Sequence, residues 1–306
     1  MLKRFEIVEG KITQTDAAQA PVLVYINPSD EERAYLAVDR RIGEHNLVSA
    51  MDPDELSRIE FEEDHVAVIF KRPKNYSSED NFLFKVTSSG FFLFKDQLIV
   101  VMMEDLPIFD RKVFDRLSSV QDVFLKILYR FVHHFFEHLK VIQMVTDALE
   151  QKINTAMENR YLLNLFTLEK SLVYYLSALQ ANTGVIEKIR VNSSKFGFLE
   201  AETEFLEDLT IENQQCFKMS EIYSNILASM MDARASIVNN NLNMLMKNLT
   251  LVMLGFAVST FVVSTFSMNL PLPFGLGKKF WAFWFVMSIV LSFVIVFIVF
   301  LRKKKW

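Results

Sequence analysis

The stretch "NNNLNMLMKNLTLVMLGFAVSTFVVSTFSMN", residues 239–269, decides how this chain folds. It opens on amides, carries one formal charge (Lys247), and is uncharged and largely apolar from about Leu249 to Phe266. It ends on Ser267-Met268-Asn269, polar residues where a membrane helix is expected to finish. A second uncharged run follows from about Phe280 to Leu301. Crossing a bilayer takes roughly 20 apolar residues at about 1.5 Å each, and both runs meet that length. A soluble core helix is rarely so long or so uniformly apolar, so two transmembrane helices are expected. Trp281 and Trp284 at one end of the second run, with Trp306 at the other, fit interfacial aromatic anchors.

Basic residues near the spans set the expected orientation. Arg302 to Lys305 follow the second span, the intervening loop holds only Lys278 and Lys279, and Lys247 precedes the first span. The balance places both termini inside and the short loop outside, in the inner (plasma) membrane. The chain has 306 residues and a formal net charge of -4, which argues against a general nucleic-acid binder. Its one cysteine, Cys216, excludes an intramolecular disulfide and fits a cytosolic bulk. "MLKRFEIVEG" has no apolar run behind its basic pair, so no cleaved signal is expected.

The expected architecture is an α+β cytosolic domain, then long α-helices forming a funnel and stalk, then two C-terminal transmembrane helices. The expected boundaries are 1–115 for the α/β domain, 116–198 for a helical region and 199–248 for a stalk helix. The first span is then 249–268, the external loop 269–279, the second span 280–301 and the basic tail 302–306. From Leu199 to Phe266 there is no proline and one glycine, Gly255. A continuous helix there would be roughly 100 Å long, which suits a stalk that continues into a membrane.

Within the first domain, "PVLVYI" (21–26) reads as a strand and "SDEE" (29–32) as a capping box opening a helix. "MDPDELSRIEF" places Asp52 at an N-cap with Pro53 in the first helical position. "HVAVIFK", "NFLFKVT", "FFLFK" and "LIVVMM" read as strands, with Ser88-Ser89-Gly90 as a hairpin turn. Val120, Phe124, Ile127, Leu128 and Phe131 keep helical spacing, and "NSSKFGF" (192–198) is the clearest helix break, whereas Asn182-Thr183-Gly184 either interrupts or sits within a helix.

Steps of alternately three and four residues from Asp232 trace one face of the long helix. They reach Ser236, Asn239, Asn243, Met246, Thr250, Met253, Ala257, Thr260, Ser264 and Ser267. The mean step of about 3.5 is the period of helices packed in a left-handed bundle. Inside the membrane the flanking positions are mostly Leu, Val and Phe, so this face is a narrow polar stripe. Two readings fit it. Small and hydroxyl residues serve helix–helix packing in membranes. A pore lined by one helix per copy is the sharper reading, and it requires several copies around a cyclic axis. Neutral oxygens with a constriction at Met246 suit a channel that gates by dewetting. They also suit Mg²⁺, which gives up its water reluctantly, because Asn carbonyl oxygens can accept hydrogen bonds from the retained waters.

These residues resemble the CorA magnesium-transporter family. "NNNLNMLMKNLT" (239–250), a span, "SMN" at its outer end, a short loop, a second span and a terminal "KKKW" look like that family's Asn-x-Met-Asn-x-x-Met-Lys-x-Leu-Thr and Gly-Met-Asn pattern. The match is specific from about Leu206 to Trp306. The resemblance implies a homopentameric channel for divalent cations, Mg²⁺ first, with a cytosolic funnel. Asn243, Met246 and Leu249 would stand at pore or gate positions, and Thr260 at a polar ring above them. Ser267, Met268 and Asn269 would form the selectivity filter, with Asp232 near the cytosolic mouth. Asp208, in "FLEDL", matches an aspartate that binds regulatory divalent ions between subunits. No permanent cofactor is implied; the cation is substrate and regulatory ligand. A zinc, cobalt or nickel transporter, a less selective cation channel, and a non-conducting metal sensor are the alternatives.

Three departures stand out. The family glycine is Ser267, which would resist a positive φ by roughly 1 kcal/mol. Ala257-Val258 occupy positions where the family often has a proline beside a methionine. The loop "LPLPFGLGKK" is basic where many members are acidic.

Elsewhere, His134 and His138 are four apart, as zinc-binding histidines can be, but no third ligand accompanies them. A half-exposed helix surface is the simpler expectation. "EAETEFLEDLTIE" (200–212) reads as a solvated acidic face, Cys216 as a packed or surface thiol, and Gly275-x-Gly277 as loop. No Walker, nucleotide or nucleophile–base motif is present, so no enzyme is expected.

Overall fold

The computed structural model describes residues 1–109, 112–155, 159–267 and 280–303. It has an α+β N-terminal domain, long helices and a C-terminal apolar helix, as the fold class expected. The chain divides into two units, Met1–Met231 and Asp232–Trp306.

The first unit is built on seven strands: β1 (Leu2–Val8), β2 (Lys11–Gln14), β3 (Val22–Ile26), β4 (Arg58–Phe61), β5 (Val66–Pro73), β6 (Val86–Leu93) and β7 (Leu98–Met102). They order as β2-β1-β3-β7-β6-β5-β4, with β3 and β7 parallel and every other pair antiparallel. Between β3 and β4 come α1 (Asp30–Val38) and α2 (Glu44–Met51). After β7 come α3 (Val120–Thr155), α4 (Asn159–Val191), the single turn α5 (Ser193–Phe196) and α6 (Glu200–Phe266). The central strands are buried on both faces, so their sequences read as unbroken apolar runs rather than alternation. Val22, Val24, Val68, Phe70, Val100 and Met102 join the core under α3 and α4. Leu23, Tyr25, Ala67, Ile69, Ile99 and Val101 face the smaller core under α1 and α2.

The capping box at Ser29 is present: Glu32 N donates to Ser29 Oγ and Ser29 N to Glu32 Oε2, at 3.2 and 2.9 Å. Two other local expectations are overturned. Asp52 is the C-cap of α2, not the N-cap of a new helix. Its carboxylate accepts from Asp54 N at 2.8 Å, an Asx turn that competes with helix initiation, and the chain runs on into β4. Ser88-Ser89-Gly90 is no hairpin turn but the middle of β6, so "NFLFKVT" and "FFLFK" do not form two strands; one strand begins at Val86. Gly90 is there because α2 lies against it: a Cβ on Gly90 would stand 2.5 Å from Ala50 Cβ.

Asn182-Thr183-Gly184 lies within α4, and Asn182 has a task there. Its Oδ1 accepts from Lys71 N at 3.0 Å and its Nδ2 donates to Lys71 O at 3.0 Å. Edge strand β4 starts at Arg58, opposite Ile69, so Lys71 has no strand partner on that side. The amide completes the ladder where the sheet runs out, sparing two buried backbone groups a desolvation cost of about 1–3 kcal/mol each.

Candidate functional site

The second unit carries the stripe. Helix α6 is 67 residues long without interruption, consistent with its lack of proline. It is followed by α7 (Ala282–Lys303), mean hydropathy 2.8 over Ala282–Val299. In α6, Leu251, Gly255, Val258, Ser259 and Val262 are buried or half-buried, one helical face in steps of three and four. Phe293, Val294, Phe297 and Ile298 of α7 line a groove with that face. Gly255 faces α7: a Cβ there would come within van der Waals contact of the Phe297 ring, at 3.4 Å. The residues of α7 that turn inward, Val286, Ile289, Val290, Val294 and Phe297, are half-buried at matching spacing.

The polar stripe lies roughly half a turn around α6 from this covered face, at 100° per residue. Asp232, Ser236, Asn239, Asn243, Met246, Thr250, Met253, Ala257, Thr260, Ser264 and Ser267 are all exposed within one chain. Leu249 is also exposed, at 55%, on the same side. Helix α7 therefore covers an apolar and small-residue face and leaves the polar one free. Met268 and Asn269, with the loop that follows, lie outside the described residues.

Ser267 is the turn residue that follows α6. Its N–H donates to Val263 O at 3.0 Å and its Oγ donates to the same carbonyl at 2.8 Å. It is not among the residues with positive φ. The cost of replacing glycine does not arise at this position, because the backbone there does not take the positive φ that favours glycine. Thr250 Oγ1 makes the equivalent bond to Met246 O at 2.8 Å. Among the described residues, the hydroxyls of Thr260 and Ser264 have no hydrogen-bond partner.

The remaining candidates belong to the first unit. Asp208 is exposed on α6. The acidic segment around it is only partly solvated. Glu202 is 3% exposed; it accepts from Leu199 N at 3.1 Å and from Ser119 Oγ at 2.9 Å, tying together the starts of α6 and α3. Glu212 pairs with His133 at 3.1 Å. Among the described residues, no group of three or more His, Cys, Asp or Glu is placed to hold a metal. Cys216 is fully buried, and burial pushes its thiol up to about 12.

His138 is buried, not half-exposed, and its Nδ1 lies 2.6 Å from the Tyr175 hydroxyl on α4. Burial, with the Arg130 charge adding to it, lowers its pKa to about 4. Between pH 6.5 and 4 the unfolded chain therefore binds a proton that the folded chain refuses. Stability is expected to be intact above pH 6.5 and to fall by up to about 3 kcal/mol as the pH drops to 4. Denaturation midpoints in detergent at both ends of this window would measure it. His138→Gln should remove that part of the slope; an unchanged slope would refute the assignment.

Sequence reasoning missed the face that receives α7. Its signal is Gly255, the lone glycine of the long helix, three residues before Val258 and four before Ser259. It also missed Asn213, fully buried on α6, whose Nδ2 donates to Leu179 O and Thr183 Oγ1 of α4 at 3.1 and 2.8 Å.

Comparisons with known proteins meet this geometry. A family profile described as "CorA-like Mg2+ transporter protein" matches residues 23–304. The cobalt/magnesium transport protein CorA of Methanocaldococcus jannaschii is 27% identical over 292 residues, covering 92% of this chain and 89% of that protein. The complete structure of the CorA magnesium transporter from the same organism superposes with a TM-score of 0.82 at 24% identity, covering 100% of this chain and 98% of that one. The full-length CmaX protein superposes with a TM-score of 0.74 at 12% identity, covering 99% and 97%. At these identities the two structures speak for the fold, while the profile spans nearly the whole chain. The protein belongs to the CorA-like Mg²⁺ transporter family.

Proposed function

We propose that this protein is a transporter of divalent cations, Mg²⁺ first, which enter the cell down their electrochemical gradient through a pore of several copies. The observation that carries this reading is the placement of the stripe opposite the face that α7 covers. A polar helix face left bare by its own chain must meet water or another copy, because lipid satisfies neither oxygens nor amides. One helix cannot enclose water, so the copies surround it, five in number by the family pattern. Asn243, Met246, Leu249, Thr250, Met253, Ala257, Thr260 and Ser264 would line the pore. Ser267, Met268 and Asn269 would form its outer filter, and Asp232 its inner mouth. The stripe holds no carboxylate within the membrane, so a hydrated divalent ion is attracted without being trapped. The two termini are cytosolic in this arrangement. An inside-negative potential supplies about 2.3 kcal/mol per charge per 100 mV, twice that for a divalent ion. Asp208, exposed on α6, would bind intracellular divalent ions that hold the pore closed.

The test is uptake into proteoliposomes that carry an internal divalent-sensitive dye and an inside-negative potential. Mg²⁺ uptake above that of empty liposomes is the expected result, with Co²⁺ as competitor. A protein that assembles in the bilayer but passes no divalent ion would overturn the reading.

A further inference from the structure

The groove between α6 and α7 is apolar along its length and basic at one end. Gly255, Ser259 and Phe297 are half-buried in its floor, while Val252, Phe256 and Ile298 stand exposed on its rim. Its volume is about 340 Å³, within the range of ligand pockets. The hydroxyl of Ser259 gives its proton to Gly255 O at 3.1 Å, so it offers the groove no free donor. A settled water needs two to four polar partners, so this lining suits a hydrocarbon chain and not water. From Leu251 to Ser259 the groove follows α6 for about 12 Å, close to the roughly 15 Å of hydrocarbon in one leaflet. Lys247 lies one turn before Leu251, and Arg302 lies one turn after Ile298, followed by Lys303, Lys304 and Lys305. With Gly255 opposite Phe297 in an antiparallel pair, positions 247 and 302 fall at the same end of the groove. No Asp or Glu occurs after Asp232, so residues 233–306 supply no carboxylate to offset this charge.

We propose that this groove binds an acyl chain of an anionic phospholipid, whose phosphate is drawn to Lys247 and the basic residues that begin at Arg302. Basic residues just beyond a span attract anionic lipid, and basic sites between spans take anionic headgroups. The charge also selects the occupant. A second copy seated on the groove would bring like charges together at its basic end, whereas an anionic headgroup opposes them. The leaflet concerned is the one that meets the C-terminus. The site requires both helices to lie in a bilayer and is independent of which ion the pore passes.

The experiment is native mass spectrometry of the full-length protein, exchanged into equal amounts of phosphatidylglycerol and phosphatidylcholine with identical acyl chains. Wild type should retain phosphatidylglycerol about tenfold or more over phosphatidylcholine. Arg302→Gln combined with Lys303→Gln, Lys304→Gln and Lys305→Gln should bring the two lipids to within about twofold of each other. Val252→Trp, which sets a large ring on the exposed rim, should cut retention of both lipids about tenfold by denying the chain its burial. Lys278→Gln with Lys279→Gln removes as much charge per residue from the loop between the spans and should match wild type. Equal retention of the two lipids by wild type, or full preference in the neutralised tail, overturns the proposal. Unchanged retention in Val252→Trp would put the lipid at the tail alone and overturn the groove as its site. A Val252→Cys variant that retains no lipid and forms a disulfide between copies would show a second copy in the groove, which also overturns it. Retained phosphatidylglycerol with no Mg²⁺ uptake in proteoliposomes would remove the transporter reading and uphold the lipid site.

Discussion

Asn243→Leu is expected to cut Mg²⁺ uptake about tenfold or more while leaving the assembly intact. Leucine keeps the branched four-heavy-atom skeleton of asparagine, and position 243 is exposed on the stripe, so the exchange disturbs little within one chain. What it removes is a carbonyl oxygen from each copy. Two lost hydrogen bonds to the waters of a passing ion, at about 0.5–1.5 kcal/mol each, already amount to roughly tenfold in rate. In the proposed pore the ring would also become apolar, adding a second barrier beside Met246 where dewetting would close the path. The variant separates the two readings of the stripe. If the stripe serves packing alone, Asn243→Leu should alter the oligomer and any uptake should scale with the assembled fraction. If it lines a pore, the oligomer persists by cross-linking and uptake per assembly falls. Met244→Leu, one residue off the stripe, is the control and should match wild type. Asn269→Ala should act in the same direction as Asn243→Leu at the outer end. Equal uptake by wild type and Asn243→Leu would remove the stripe from conduction.

The two long apolar helices were legible in the sequence because their length and lack of charge are strong, local signals. Proline's absence from residues 199 to 266 sufficed to expect one continuous helix. The relation of the stripe to α7 was not legible. It depends on which face a second helix chooses, and only the single Gly255 hinted at that. The first unit was readable in its apolar runs and opaque at its joints. Asn182 looks like a helix weakness, yet it is a partner for the backbone of Lys71, 111 residues earlier. Glu202 looks like one of several surface acids, yet it is buried against Ser119. His138 looks like half of an exposed pair, yet its partner is Tyr175 on another helix. Each of these choices is made by a distant residue, which periodicity and propensity cannot register.

The same failure at Ser88-Ser89-Gly90 yields the largest expected change in stability. Turn residues inside a strand lower its propensity, so something else must favour them there. In β6 that is the approach of α2. Ser88 and Ser89 are fully buried, and Gly90 pairs with Ile69 on β5 and Val101 on β7, so the strand cannot shift sideways. On the other side Ala50 is fully buried, and its Cβ would lie 2.5 Å from a Cβ at position 90. Neither atom is the end of a flexible side chain. Gly90→Ala must therefore push α2 off the sheet and loosen the core that includes Leu47, Ile69 and Phe92. The expected cost is roughly 2–3 kcal/mol, the scale of overpacking in a rigid core. It should appear as a lower thermal midpoint for the full-length protein in detergent. Combining Gly90→Ala with Ala50→Gly gives the sharper measurement. If the two methyl positions compete for one space, the double variant should be less destabilised than the sum of the singles, by about 1 kcal/mol or more. Strict additivity would mean that glycine stands at position 90 for some reason other than the contact with α2.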